Sequence, residues 1–276
     1  MIVSGENSKV KLVKSLKTRK ARERGGCYLM EGPKLFTEAL DHHAEILFAF
    51  FCEDAARSGT GPGAAQATMA ETLADRASRA GVENFWVSRK IFADMAETGP
   101  TQTVLAVVKK PRFSRETFFG GGNGNVVVLD RLQDPGNIGT VIRTAAAAGF
   151  DGVVAVKGTG DVYAPKTVRA AMGAHFRMPV IFAEDAEDAV RFLTEAGKRI
   201  LVADVHGACS CYEADLARDA ALVIGNEGGG ADAAFLAKAQ MKLRIPMPGG
   251  TESLNASTAA AILMFESVRQ NMAKGE

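Results

Sequence analysis

Three stretches of the chain gather residues able to do chemistry, and each is rich in glycine. The first runs Asp134-Pro135-Gly136-Asn137-Ile138-Gly139 and opens a helical stretch in which Arg143 stands among Val141, Ile142 and four alanines. A guanidinium there suits an anion or a reacting oxygen; a surface arginine is the plainer reading. Asn137 is placed to cap that helix. The second stretch is Gly225-Asn226-Glu227-Gly228-Gly229-Gly230, after Ile224. Consecutive glycines let backbone N–H groups approach a ligand closely, and Glu227 is the only charge among them. The third is Ile245-Pro246-Met247-Pro248-Gly249-Gly250, leading through Ser253, Leu254 and Asn255 to Ser257. Asn255 or Ser257 suits a helix cap, yet the stretch is far more elaborate than a cap requires.

Each stretch follows an apolar run of strand type, and ligands of open α/β sheets bind beyond the carboxyl ends of strands. The runs NVVVLD, ALVIGNE and KLRIP precede the three stretches, and GVVAVK, MPVIFA and RILVADV lie between them. Helices are expected over 138–148, 163–172, 186–197, 232–239 and 255–272. This predicts a parallel-sheet α/β unit over 125–276. Residues 27–110 also alternate strand and helix, with CYLMEG, ILFAFFC, FWVS and TVLAVVKK as strands, which predicts a smaller α/β unit over 1–110. Residues 111–124, with a proline and a run of glycines at the end, read as a linker.

The first 24 residues carry eight basic side chains against two acidic ones. Val10, Val13 and Leu16, with lysines between them, predict one amphipathic helix capped by Asn7 or Ser8. Lys11, Lys14, Lys17, Arg19 and Lys20 form either a solvated face or a phosphate-binding surface.

The whole chain is nearly neutral, with 33 basic and 32 acidic residues among 276, and 47% hydrophobic. That excludes a disordered chain and a uniformly basic nucleic-acid coat. Four cysteines are too few for a disulfide framework, and Cys209 and Cys211 are too close for a zinc knuckle, so no metal is expected. No apolar run approaches the ~18 residues of a membrane span. A reduced, cytoplasmic protein without a membrane partner is expected.

GxGxxG, GxxxxGK[ST] and GxSxG are all missing from the strand ends, which disfavours dinucleotide enzymes, phosphate-loop NTPases and α/β-hydrolases. A glycine-rich adenosine surface without phosphate motifs leaves S-adenosylmethionine, which has no phosphate, as a natural candidate. The three stretches together resemble the SpoU family of RNA ribose 2′-O-methyltransferases, within the SPOUT superfamily. The pattern N-x-G-x-x-x-R-x-A-x-x-x-G is met by Asn137, Gly139, Arg143, Ala145 and Gly149. G-x-E-G-x-G is met by Gly225, Glu227, Gly228 and Gly230, and I-P-M with S-L-N-x-S by Ile245 to Met247 and Ser253 to Ser257. One departure is Ala171, in Arg169-Ala170-Ala171-Met172-Gly173-Ala174, where relatives often carry serine.

The resemblance implies a C-terminal domain with a deep trefoil knot, an N-terminal domain similar to certain ribosomal proteins, and a homodimer that completes the site. It implies cofactor contacts from Ile224, Gly225, Asn226, Ile245, Met247 and Leu254. Asn137, Arg143, Glu227, Ser253 and Asn255 would line the reacting side. The implied substrate is structured RNA, with large-subunit ribosomal RNA first and the same reaction on transfer RNA as the alternative. The competing readings are a ribosome-assembly factor without turnover and a nucleotide-dependent oxidoreductase.

Overall fold

Apolar runs form most of the strands, and those over Cys27–Glu31, Val126–Leu129, Gly152–Val156 and Ala220–Ile224 are buried along their whole length. The computed structural model describes residues 4–53, 62–97, 102–119 and 124–274. Gly120 to Asn123, at the end of the expected linker, lie outside the described residues. The chain divides into two compact units: Met1–Arg112 with Tyr163–Phe176, and Phe113–Val162 with Arg177–Glu276.

The first unit opens with helices α1 (Ser8–Ser15) and α2 (Arg19–Gly25). They replace the single amphipathic helix that the spacing predicts. Val10, Val13 and Leu16 are fully buried as one stripe, and Asn7 caps α1 by accepting from the Lys9 N–H at 2.9 Å. Polar side chains then take up backbone groups that a continuing helix would use. The Ser15 hydroxyl donates to the Leu12 carbonyl at 2.7 Å, and the buried Arg22 guanidinium donates to the Leu16 carbonyl at 2.6 Å. Thr18 caps α2, and Gly26, at φ +60°, ends it.

Strands β1 (Cys27–Glu31), β2 (Ile46–Cys52), β3 (Glu83–Val87) and β4 (Val104–Lys109) follow, with α3 (Pro33–Asp41), α4 (Pro62–Arg79) and α5 (Arg89–Met95) between them. The sheet order is β1-β4-β2-β3, with β2 and β3 parallel and the other pairs antiparallel. Tyr163–Phe176 also belongs to this unit. Its helix α7 (Pro165–Ala171) packs on β1, and the Tyr163 ring centroid lies 5.0 Å from that of Tyr28 and 5.4 Å from that of His175. Ala171 is buried here, so the departure from serine is a packing position.

The second unit holds a seven-stranded sheet, every pair parallel, in the order β7-β6-β5-β10-β8-β11-β9. Its strands are β5 (Val126–Leu129), β6 (Gly152–Val156), β7 (Val180–Ala183), β8 (Arg199–Ala203), β9 (Cys209–Ser210), β10 (Ala220–Ile224) and β11 (Met241–Arg244). The helices are α6 (Pro135–Ala147), α8 (Ala186–Glu195), α9 (Ala233–Lys238) and α10 (Ala256–Ala273). From β5 the chain builds outward through β6 and β7, then returns to build the other half. The order therefore reverses beside β5, and such a reversal opens a crevice at the strands' carboxyl ends. Buried Asn125 secures the start of β5 by donating to the carbonyls of Leu216 and Ala217 and accepting from the Ala220 N–H.

Residues 113–119 are pinned to α8. Arg115 forms a two-pronged ion pair with Asp188 and stacks 5.0 Å over Phe192, against which Phe118 and Phe119 also pack. The hydrogen bond from Arg115 holds the Asp188 carboxyl far below the usual carboxylate range, against the opposing effect of burial.

Candidate active site

The cap of α6 differs from the expectation. Its N-cap is Asp134, which accepts from the Asn137 N–H at 2.9 Å, and the helix starts at Pro135. Proline at the first helical position is pre-set for φ and has no N–H to lose. Asn137 therefore stands one turn inside the helix, with its side chain released for another task.

That side chain is buried, and it joins all three glycine-rich stretches. Its amide donates to Glu227 at 3.2 Å, and its oxygen accepts from the Asn255 amide at 2.9 Å and the Ser257 hydroxyl at 3.2 Å. Asn255 caps α10 with its oxygen, which accepts from the N–H groups of Ser257 and Thr258. A buried amide with both ends paired fixes the orientation of its neighbours. Glu227 also accepts from the N–H groups of Gln133 and Asp134. Burial pushes its carboxyl up, but hydrogen bonds from its own N–H, Asn137 and these two backbone groups outweigh that and hold it below the ordinary glutamate value. The carboxylate stays charged at neutral pH.

The 225–230 loop is shaped largely by Asn226. Its backbone pairs with Gly230, its amide donates to the Arg131 carbonyl at 2.9 Å, and its oxygen accepts from the N–H groups of Gly228 and Gly229, both at 3.0 Å. A Cβ on Gly225 would come inside 3.0 Å of the backbone of Gly230 and Ala231, so the turn requires glycine. Arg131, at φ +60°, braces the same rim through buried Asp130 and through Asp232 at 3.5 Å.

These turns enclose a cleft of about 700 Å³. Ile224, Gly225, Asn226, Glu227, Ile245, Met247, Ser253, Leu254 and Asn255 all line it. Its walls are largely apolar, its two carboxylates are Asp204 and Glu227, and no Lys, Arg or His lines it among the described residues. Such a cleft suits a flat adenosine beside a positively charged group, and it offers no cation to a phosphate. Sequence reasoning missed Asp204 and Ser257 as site residues. Asp204 follows the fourth strand of this unit, at the same sheet end as the three recognised stretches.

Arg143 is placed differently. It is exposed on α6, does not line the cleft and makes no hydrogen bond or ion pair among the described residues. The five basic residues of the N-terminal run are largely engaged within their own unit. Lys11 pairs with Glu6, Lys14 with Asp94 and Arg19 with Glu23, while Lys17 donates to the carbonyls of Asp94 and Ala96. Lys20 is exposed and has no such partner among the described residues.

Residues 124–265 match the SpoU rRNA methylase family. The chain belongs to that family. Residues 7–106 match the MRM3-like substrate binding domain. The SpoU chain is 34% identical to the 23S rRNA (guanosine(2553)-2'-O)-methyltransferase RlmP of Bacillus subtilis, across 96% of this chain and 97% of that one. An AdoMet-bound rRNA methyltransferase from Sinorhizobium meliloti superposes with a TM-score of 0.81 at 30% identity, covering 98% of this chain and 97% of the other. AviRb of Streptomyces viridochromogenes, a SpoU methyltransferase in complex with AdoMet, superposes at 0.80 with 27% identity, covering 97% and 100%. This SpoU enzyme is an RNA methyltransferase with S-adenosylmethionine as its cofactor. Its cleft, apolar, anionic and without a phosphate-binding cation, fits that molecule. Among the described residues no cluster of His, Cys, Asp and Glu could hold a metal ion, and no helix is long and apolar enough to cross a membrane.

Proposed function

We propose that the protein methylates a ribose 2′-hydroxyl of large-subunit ribosomal RNA. The observation that carries this is the network of Asn137, Glu227, Asn255 and Ser257 at the rim of the cleft, in a chain similar over nearly its whole length to RlmP. The target base is left open: RlmP is named for a guanosine, and a Streptomyces viridochromogenes relative, 36% identical across 61% of this chain, for a uridine.

S-adenosylmethionine supplies a methyl group that is already strongly electrophilic. The chain must therefore position and activate the hydroxyl, a poor nucleophile at neutral pH. Asn255 and Ser253 orient the ribose, and Glu227 with Asn137 orders the turns around it. Ile224, Gly225, Ile245, Met247 and Leu254 hold the adenosine part, with Asn226 shaping the loop. Arg143 brings a planar guanidinium whose N–H groups only donate. It acts as a fixed cation that orients the substrate phosphate and stabilises the developing alkoxide, with that phosphate or a water taking the proton.

Arg143 stands outside the cleft of its own chain, which supports a site completed by two chains. In this reading the protein is a homodimer and each Arg143 serves its partner's cleft. We extend the reading to the C-terminal segment, which threads a loop to form a trefoil knot. The insertion of β10 between β5 and β8, with α10 returning onto α6, supports that path. The N-terminal unit grips structured RNA, with Lys20 free for phosphate and Lys11, Lys14, Lys17 and Arg19 adding positive potential.

The test is methyl transfer from labelled S-adenosylmethionine to ribosomal RNA lacking its own modification, followed by mapping of ribose methylation. Wild type makes one 2′-O-methyl site in the large-subunit RNA, and Arg143→Ala loses it. Transfer to tRNA alone would overturn the substrate, and cofactor binding without any transfer would favour an assembly factor.

A further inference from the structure

Asp204 has no place in the motifs, yet it enters the cleft from the end of β8. Its backbone is held on both sides: its N–H donates to the Leu243 carbonyl at 2.9 Å, and its carbonyl accepts from the Gly207 N–H at 3.0 Å. Oδ1 accepts from the His206 N–H at 2.8 Å. Oδ2 takes no hydrogen bond or ion pair among the described residues. The turn itself has little room to move, since a Cβ on Gly207 would lie 2.6 Å from the Lys242 carbonyl oxygen. The result is a half-buried carboxylate with one oxygen committed to its turn and the other available to a ligand.

We infer that Asp204 is a specificity-determining residue for the cofactor, its Oδ2 accepting hydrogen bonds from the adenosine ribose hydroxyls. A carboxylate at a strand's carboxyl end can take both hydroxyls of a ribose, as acidic residues do in other open α/β sheets. Asp204 shares its wall with Val202, Ala203 and Val205, and Leu236 also lines the cleft, so that region is mostly apolar. Glu227, by contrast, is bonded to Asn137. The two carboxylates are thus assigned different tasks: Asp204 reads the nucleoside, and Glu227 orders the reacting side. The assignment rests on the cleft being the cofactor site.

The test is calorimetric binding of S-adenosylhomocysteine and 5′-methylthioadenosine, which lacks the amino-acid portion, to wild type and Asp204→Asn. The asparagine oxygen keeps the bond to the His206 N–H, so the turn is preserved, and an unchanged Tm confirms it. The expected result is a loss of affinity of ~10-fold or more for both ligands, as for a hydrogen bond to a charged group. A 2′,3′-dideoxy analogue, weaker on wild type, would bind the two proteins alike. Loss for S-adenosylhomocysteine alone would mean that Asp204 holds the amino-acid ammonium, and would overturn the inference. Equal affinities for wild type and variant would also overturn it. Failure of wild type to bind either ligand would instead overturn the assignment of the cleft.

Discussion

At the scale of single residues, the side chains of the site divide into those that hold the turns and those that the proposed mechanism sets against a substrate. Asn137 and Asn226 are fully engaged with the chain, whereas Arg143 has no hydrogen-bond or ion-pair partner among the described residues. Arg143→Lys should therefore leave S-adenosylhomocysteine affinity unchanged while lowering transfer about 10²-fold, since a lysine keeps the charge without the planar fork. Calorimetry beside a turnover assay separates the two, and near-normal turnover would remove the role of the fork. Asn137→Ala should behave in the opposite way. It strands the Asn255 amide and one partner of Glu227, and should cost about 1–3 kcal/mol of stability, measured by urea denaturation.

At the scale of elements, the glycine-rich turn after β10 depends on its close approach to its own backbone. Gly225→Ala should displace the loop, lower the Tm and weaken S-adenosylhomocysteine binding at least tenfold, with isothermal calorimetry as the measurement. The ion pair between Arg115 and Asp188 gives a pH signature. Because the Asp188 carboxyl is depressed in the fold, its contribution is present above the ordinary aspartate range and is lost as pH falls through the folded value. Asp188→Asn should cost about 1–2 kcal/mol at neutral pH, and its Tm should converge with wild type on acidification. Most strands were readable because β5, β6 and β10 are continuous apolar runs buried on both faces. The ends of elements were not. Asp134 rather than Asn137 caps α6 because Pro135 can begin a helix earlier than the apolar pattern suggests. The N-terminal helix breaks where Ser15, Thr18 and Arg22 compete for backbone groups. The two-residue β9 is too short to leave a pattern at all.

At the scale of the whole molecule, the proposed place of Arg143 in a partner's cleft predicts assembly. Sedimentation should give about twice the chain mass of 29.1 kDa. Chains carrying Arg143→Ala and chains carrying Gly225→Ala, each inactive alone, should regain up to about a quarter of wild-type transfer when unfolded and refolded together, because one of the two clefts in a mixed pair is intact. No recovery, with mixed pairs demonstrated by mass spectrometry, would confine the site to one chain. The sequence order hides one further property. Tyr163–Phe176 leaves the chain after β6 and is built into the first unit, then the chain returns to form β7. No single cut in the gene separates the two units. A fragment starting at Phe113 would carry Tyr163, Val168 and Ala174 stripped of the packing that covers them, and should be prone to precipitate. A chimera that exchanges the N-terminal unit with a relative must exchange this inserted helix as well. If the N-terminal unit sets the RNA target as proposed, a change of target faces a two-segment constraint, and compensating substitutions should pair β1 with residues 163–176.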